Sequence, residues 1–199
     1  MIIGITGNSG SGKDTVSVII KNNTNSLIIN ADNIAKENQK PNHEYYNKIV
    51  NLLGDKILKE DKKINRVLLA KTIFYNDEIR EQINNLTFEC IQKELDKILI
   101  ENKDKDFIIL NFPLLYEGNF DKICDYVIAV TADKNSKVQR IILRDKVTKT
   151  DAEQRISTQK SEDFYKENAD FVIDNSGNVQ YKDLINSTLS ILKKIKEEK

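Results

Sequence analysis

Gly7-Asn8-Ser9-Gly10-Ser11-Gly12-Lys13 stands between the apolar run Ile2–Thr6 and a segment, Lys13–Asn23, in which Val16, Ile19 and Ile20 recur at helical spacing. A buried strand, a glycine-rich turn and a helix in that order give the G-x-x-x-x-G-K pattern its phosphate-binding context. Glycines permit a tight turn whose successive backbone N–H groups face phosphate oxygens. The helix N-terminus adds positive potential, and Lys13 adds a point charge for the terminal phosphates. The loop predicts binding of a nucleoside polyphosphate. Three of only seven glycines in the chain fall in these seven residues.

Working outward, short apolar runs recur at Leu27–Asn30, Phe107–Leu110, Tyr126–Val130 and Phe171–Asp174. Between the second and third, Ile49, Leu52, Leu53, Ile57, Ile79, Ile83, Leu86, Cys90, Ile91, Leu95 and Ile98 follow helical spacing, so several helices are expected there. Lys134–Arg144 and Tyr181–Lys199 read as helices, and Asp151 to Lys166 as a polar segment with weak helical spacing. Strands alternating with helices predict an α/β fold: a five-stranded, mainly parallel sheet flanked by helices. The expected organisation is a P-loop core at 1–35, 104–144 and 166–199, a helical insertion at 36–103 and a lid at 145–165.

Composition narrows the class. In 199 residues, 31 basic and 31 acidic side chains cancel, so no global field favours nucleic acid or an anionic membrane. No apolar stretch has the length of a membrane span, and the N-terminus lacks the features of a secretory signal. Two cysteines cannot make a disulfide framework, and reduced thiols in a cytoplasmic protein are expected. Cys90 falls on an apolar helical stripe and reads as core. The sole histidine, His43, reads as a surface residue at a helix start.

The position after Lys13 departs from the loop pattern. Where Ser or Thr ordinarily meets Mg²⁺, this chain has Asp14, followed by Thr15. A carboxylate is a competent magnesium ligand, and without the metal it repels a polyphosphate. Nucleotide binding is therefore expected to depend on Mg²⁺ more strongly than with a serine.

Transfer of a phosphoryl group to an alcohol needs a carboxylate near the acceptor proton and cations against the developing charge. Asp32 follows the second strand directly, at the carboxyl edge where open α/β sheets bind ligands; as a cap for a helix starting at Asn33 it has a structural alternative. Only five residues are arginine, and Arg140, Arg144 and Arg155 lie within sixteen positions. Thr148-Lys149-Thr150-Asp151 mimics a guanine-reading tetrad, but no apolar strand leads into it.

Taken together, these residues resemble the dephospho-CoA kinases over nearly the whole chain. The resemblance runs through Gly7–Thr15, Asn30-Ala31-Asp32, Gly54–Leu58, Ile64-Asn65-Arg66, Ile73-Phe74, Pro113-Leu114-Leu115-Tyr116-Glu117, Arg140, Arg144-Asp145, Arg155 with Gln159, and Ala169–Asn175. It implies a P-loop kinase fold and transfer of phosphate from ATP, with Mg²⁺, to the ribose 3′-hydroxyl of dephospho-CoA. It further implies Asp32 as base and Lys13 with Arg144 at the transferring phosphoryl group. Gly10, Ser11, Gly12, Lys13, Asp14, Thr15, Arg144 and Asn175 are then expected on ATP, Asn175 near its adenine. Asp32, Leu115, Tyr116, Glu117, Arg140 and Gln159 are expected on the acceptor, and Asp14 with Thr15 on the metal. A monomer or small homo-oligomer is expected. The departures are Asn30, Asn111 and Phe88-Glu89, where the family usually has aspartate, aspartate and His-Pro. Two rivals stand beside this reading: another P-loop kinase of small molecules or nucleoside monophosphates, and a nucleotide-binding protein without transferase activity.

Overall fold

The computed structural model describes residues 1–198. Five strands, β1 (Ile2–Thr6), β2 (Ser26–Asn30), β3 (Phe107–Asn111), β4 (Tyr126–Thr131) and β5 (Phe171–Asp174), form one parallel sheet in the order β2-β3-β1-β4-β5. Ile5 of β1 is in register with Asn111 of β3 on one side and Ile128 of β4 on the other. The chain leaves β1 toward one edge of the sheet and β3 toward the other. The carboxyl ends of β1 and β3 therefore flank the point where the winding reverses, the usual crevice of an open α/β sheet.

The backbone separates into two units, Met1–Ile29 with the chain from Asp104 on, and Asn30–Lys103. In the first, the central strands β1, β3 and β4 are buried on both faces, as parallel strands covered by helices must be. Helices α1 (Lys13–Asn23) and α9 (Tyr181–Glu197) are among those that cover them. Ile3, Ile5, Phe107, Ile109, Ile128 and Val130 meet Val16, Ile19 and Ile20 of α1 and Leu184, Leu192 and Ile195 of α9 in one core. Helix α6 (Lys134–Asp145) is started by Asp133, whose side chain accepts from Ser136 N–H. The polar segment after it resolves into two short helices, α7 (Lys149–Ser157) and α8 (Glu162–Asn168). Thr148 and Asp151 form a reciprocal capping box at the start of α7, which accounts for the Thr-Lys-Thr-Asp tetrad as a helix signal.

The second unit contains α2 (Ala31–Asn38), α3 (Glu44–Leu53), α4 (Arg66–Tyr75) and the long α5 (Asp77–Glu101). Its core gathers Tyr45, Tyr46, Ile49, Leu53, Ile57, Leu69, Ile83 and Cys90. Tyr45 shares a 2.6 Å hydrogen bond with Thr87, and Tyr46 O–H donates to Lys62 O at 2.6 Å, so both rings are packing residues with satisfied hydroxyls. Burial pushes the Cys90 thiol up to about 11, as fits a core thiol. His43 caps no helix amide through its side chain; its Nδ1 lies 3.2 Å from Asn38 Oδ1 at the start of α3. Among the described residues, no helix is long and apolar enough to cross a membrane.

Candidate active site

The loop between β1 and α1 adopts a conformation that only glycine tolerates well. Gly7 and Gly12 have φ of 136° and 102°, and a Cβ on Gly7 would lie 2.1 Å from Val130 O. The first backbone bond of α1 runs from Val16 N–H to Gly12 O, and no side chain caps the helix. The amides of Lys13, Asp14 and Thr15 therefore precede the helical ladder, at the positive end of the helix.

The loop carbonyls are occupied from the inside. Lys13 Nζ donates to Gly7 O at 2.8 Å and Asn8 O at 3.0 Å. Arg140, on α6, donates through Nη1 to Gly10 O (3.2 Å) and Ser11 O (3.4 Å), and through Nη2 to Asn175 O (2.8 Å). Asn175 is buried at the end of β5 and donates Nδ2 to Ser11 O at 2.7 Å. Expected near the adenine, Asn175 is placed by the structure as a brace of the phosphate loop. Ser11 also differs from its expected place: its side chain is fully buried, its Oγ has no partner among the described residues, and its N–H turns inward to Asn8 O. Its side chain supports the loop from beneath.

A cleft of about 460 Å³ opens over the loop, lined by Gly10, Gly12, Lys13, Asp14, Thr15, Arg140, Leu143 and Arg144. Arg144 makes a bidentate pair with Asp145, Nε to Oδ1 at 2.8 Å and Nη2 to Oδ2 at 2.9 Å, and Nη2 also reaches Ser9 Oγ at 3.3 Å. Arg155 of α7 donates to the same Asp145 carboxylate. The two guanidinium groups, Arg144 foremost, hold the Asp145 carboxyl below the usual carboxylate range. Gln159 Oε1 accepts from Ser9 N–H at 2.8 Å, and Asn8 Nδ2 donates to Lys160 O at 2.9 Å. The segment after α7 is thus fastened directly to the phosphate loop.

Lys137 and Asn8 are parts of this site that the sequence reading did not single out. Lys137 is almost fully buried, with Nζ 3.2 Å from Asn8 Oδ1 and paired to Glu162. A signal existed: Lys137 falls on the stripe of α6 that also carries the buried Val138 and Ile141, where a lysine needs a partner.

Of the Pro113–Glu117 segment, Leu115 is fully buried, and a Cβ on Gly4 of β1 would lie 2.8 Å from its Cδ2. Its side chain supports the segment from within. Tyr116 donates to Asn168 O at 2.8 Å, stacks edge-on with Phe164, and has its phenol pushed up to about 12 by burial. Glu117 is exposed. Asp32 lies in the helical unit, exposed in the first turn of α2. The cap of that helix is Asn30, whose side chain accepts from Asn33 N–H at 3.1 Å, so the capping role considered for Asp32 is filled by another residue.

Asp14 faces the cleft, and its Oδ1 accepts from Asn111 Nδ2 at 2.6 Å. A hard oxygen donor beside the first-turn amides suits Mg²⁺, which binds through one or two carboxylates together with phosphates and water. Among the described residues, no group of three or more His, Cys, Asp or Glu side chains forms a self-sufficient metal cage.

Comparison with known proteins places these features in one family. The dephospho-CoA kinase family model matches residues 1–181. A dephospho-CoA kinase of Prochlorococcus marinus is 34% identical over 178 residues, covering 87% of each chain. One from Carboxydothermus hydrogenoformans is 35% identical over 181 residues, covering 90% of this chain and 87% of its own. Among solved structures, a Thermus thermophilus protein superposes with a TM-score of 0.82 at 22% identity over 97% of this chain and 96% of its own. A dephospho-CoA kinase from Campylobacter jejuni gives 0.68 at 26% identity, over 99% and 98%.

Proposed function

The chain belongs to the dephospho-CoA kinase family, an ATP-dependent kinase family, and from that premise we propose that it transfers the γ-phosphoryl group of ATP to the ribose 3′-hydroxyl of dephospho-CoA. The observation that carries this reading is the family match over residues 1–181, which spans the phosphate loop, Asp32 and the arginine-rich α6–α7 segment together. It favours this acceptor over another small-molecule or nucleoside monophosphate kinase, and favours transfer over nucleotide binding alone.

In the proposed reaction the 3′-oxygen forms a bond to the γ-phosphorus as the bond to the β–γ bridging oxygen breaks. Asp32 takes the hydroxyl proton, and ADP leaves with the bridging oxygen. Lys13 and the first-turn amides of α1 hold the phosphates, and Arg144 exchanges its Asp145 contact for the transferring group, as preorganised charge does in this chemistry. Mg²⁺ neutralises charge on the phosphates when bound, and Asp14 with Thr15 would hold it. The residues from 145 to 165 act as the lid, with Gln159 and Arg155 at its inner side, and the helices of 36–103 serve the acceptor. Tyr116 and Glu117 are the remaining acceptor-side residues in this reading, and Arg140 acts through the phosphate loop it braces.

The test is ADP production from ATP with dephospho-CoA, adenosine, AMP, dTMP or no acceptor, in the parent and in Asp32→Asn. Turnover is expected with dephospho-CoA alone, lowered by about two orders of magnitude in Asp32→Asn with ATP binding retained. Turnover with a nucleoside monophosphate in its place overturns the acceptor assignment, and undiminished turnover in Asp32→Asn removes that residue from the base role.

A further inference from the structure

Two departures in this chain touch each other. In phosphate-loop enzymes generally, the residue after the loop lysine contributes a hydroxyl to the magnesium site, and a carboxylate comes from a neighbouring strand. Here the loop position is Asp14, and the strand beside β1 ends in Asn111, with an amide in place of a carboxylate. Asn111 is 3% exposed and donates Nδ2 to Asp14 Oδ1 at 2.6 Å. We propose that the carboxylate of the magnesium site has been transposed, from the end of β3 to the first turn of α1, and that Asn111 is the positioning residue that orients it. The proposal rests on the reading of the loop as a nucleotide site.

The electrostatics support a coupled change. A hydroxyl and a carboxylate together carry one negative charge, and so do a carboxylate and an amide. Two carboxylates at the Asp14–Asn111 separation would repel each other and any nearby phosphate, because like charges that close raise one another's proton affinity. Asp14 with Asn111, or Ser with Asp, satisfies the charge; Asp with Asp does not. The amide also fixes the carboxylate in direction. With Oδ1 engaged by Asn111, Oδ2 has no hydrogen-bond partner among the described residues, and Asp14 lines the basic cleft of Lys13, Arg140 and Arg144. Asp14 is the only carboxylate in that lining, so it is the one anionic side chain there that could hold a phosphate-bound Mg²⁺. Its place in the first helical turn is favourable for a negative group even before any cation binds.

The test uses a non-hydrolysable ATP analogue and calorimetry, with and without Mg²⁺, so that no turnover enters the readout. Four chains are compared: the parent, Asp14→Ser, Asn111→Asp and the double variant Asp14→Ser/Asn111→Asp. The parent is expected to lose about tenfold or more in affinity when Mg²⁺ is chelated, the scale of one charge-assisted contact. Asp14→Ser should bind the metal-free analogue more tightly than the parent and lose most of that metal dependence. Asn111→Asp should bind the metal-free analogue more weakly than the parent. The double variant should recover the metal dependence that Asp14→Ser lost. Thermal unfolding of each chain without ligand identifies any variant that fails to fold, and a fold-competent double variant rescuing an unfolded single one supports the coupling directly. Unchanged metal dependence in Asp14→Ser, or a folded double variant with no more metal dependence than Asp14→Ser alone, overturns the transposition. Failure of the parent to bind the analogue under either condition overturns the nucleotide reading and this proposal with it.

Discussion

Replacing Gly12 by alanine tests the tightest point of the phosphate loop. Its φ of 102° lies in the left-handed region, where an alanine costs about 1–2 kcal/mol. The new Cβ would lie 2.1 Å from Asn175 Nδ2 and 3.3 Å from its Cγ, so the asparagine must move. Moving it breaks the 2.7 Å bond to Ser11 O and strands a buried amide, a further loss of about 1–3 kcal/mol. The lower entropy of an unfolded chain with alanine returns about 0.4–1 kcal/mol. The net expectation is a loss of about 2–4 kcal/mol, read as a fall in Tm of roughly 5–15 °C for a chain of this size. Urea and thermal unfolding of Gly12→Ala check the magnitude, and the same change in an Asn175→Ala background checks the cause. With the clashing side chain gone, Gly12→Ala should cost only the backbone part, about 1–2 kcal/mol. An effect below about 0.5 kcal/mol, the range of an indifferent surface change, would refute the reasoning. So would an equal loss in both backgrounds, which would mean that Asn175 is not what the new methyl meets.

Arg144→Lys should lower kcat by about tenfold or more with unfolding temperature nearly unchanged, because a lysine keeps the charge but not the bidentate geometry seen on Asp145; steady-state kinetics decide, and parental kcat would make the arginine structural. Asp133 accepts from Ser136 N–H at 2.9 Å and Gly177 N–H at 3.0 Å, and these bonds, with Ser136 Oγ, hold its carboxyl well below the usual carboxylate range. A carboxyl depressed in the folded state stabilises fully above its unfolded pKa of about 4 and less as pH falls below it. Asp133→Asn should therefore lower Tm at pH 7, with the gap to the parent closing as pH drops from about 4 toward 2; a gap that stays constant with pH would show that the charge is not what matters.

All five strands are legible in the sequence because each is a short apolar run closed by a polar or glycine residue, and in β1, β3 and β4 burial on both faces leaves no competing pattern. Long α5 is legible on a different period: Ile79, Ile83, Leu86 and Cys90 keep one face apolar over its first half, and Ile91, Leu95 and Ile98 continue at helical spacing farther round the helix. Helix starts were harder to place. The one helix start considered after β2 lies at Asn33 under Asp32, whereas α2 begins at Ala31 under an Asn30 cap, because a polar first turn of Ala-Asp-Asn carries no apolar period and only the cap marks it. The weakly periodic polar segment after α6 becomes two helices whose starts are marked by Thr148-x-x-Asp151 and by Ser161 before Phe164, local signals that hydrophobic spacing does not detect. In the candidate site, glycines, Lys13 and the clustered arginines were visible as residue types. The partners of Arg140 were not, since Gly10 and Asn175 are 130 and 35 positions away and only the sheet order brings them together.

Those distant partners explain how the loop keeps most of its carbonyls turned away from the cleft while the amides of Lys13, Asp14 and Thr15 stay outside the helical ladder. Every peptide unit carries a carbonyl opposite its N–H, and a carbonyl oxygen aimed into the cleft would repel the phosphate that the amides attract. The structure disposes of them one at a time: Gly7 O and Asn8 O on Lys13, Gly10 O on Arg140, Ser11 O on Asn175 and Arg140, and Gly12 O on Val16 N–H in the first turn of α1. Two cations and one buried amide thereby fix the polarity of the loop before any nucleotide arrives. Lys13 serves both ends of that arrangement, holding carbonyls in the ligand-free chain while its charge remains at the floor of the cleft. Arg140 is tied on three sides to backbone oxygens, so its contribution to an anion in the cleft is made largely through the loop it braces, whereas Arg144, anchored to an exchangeable carboxylate at the rim, is the arginine with a contact to trade.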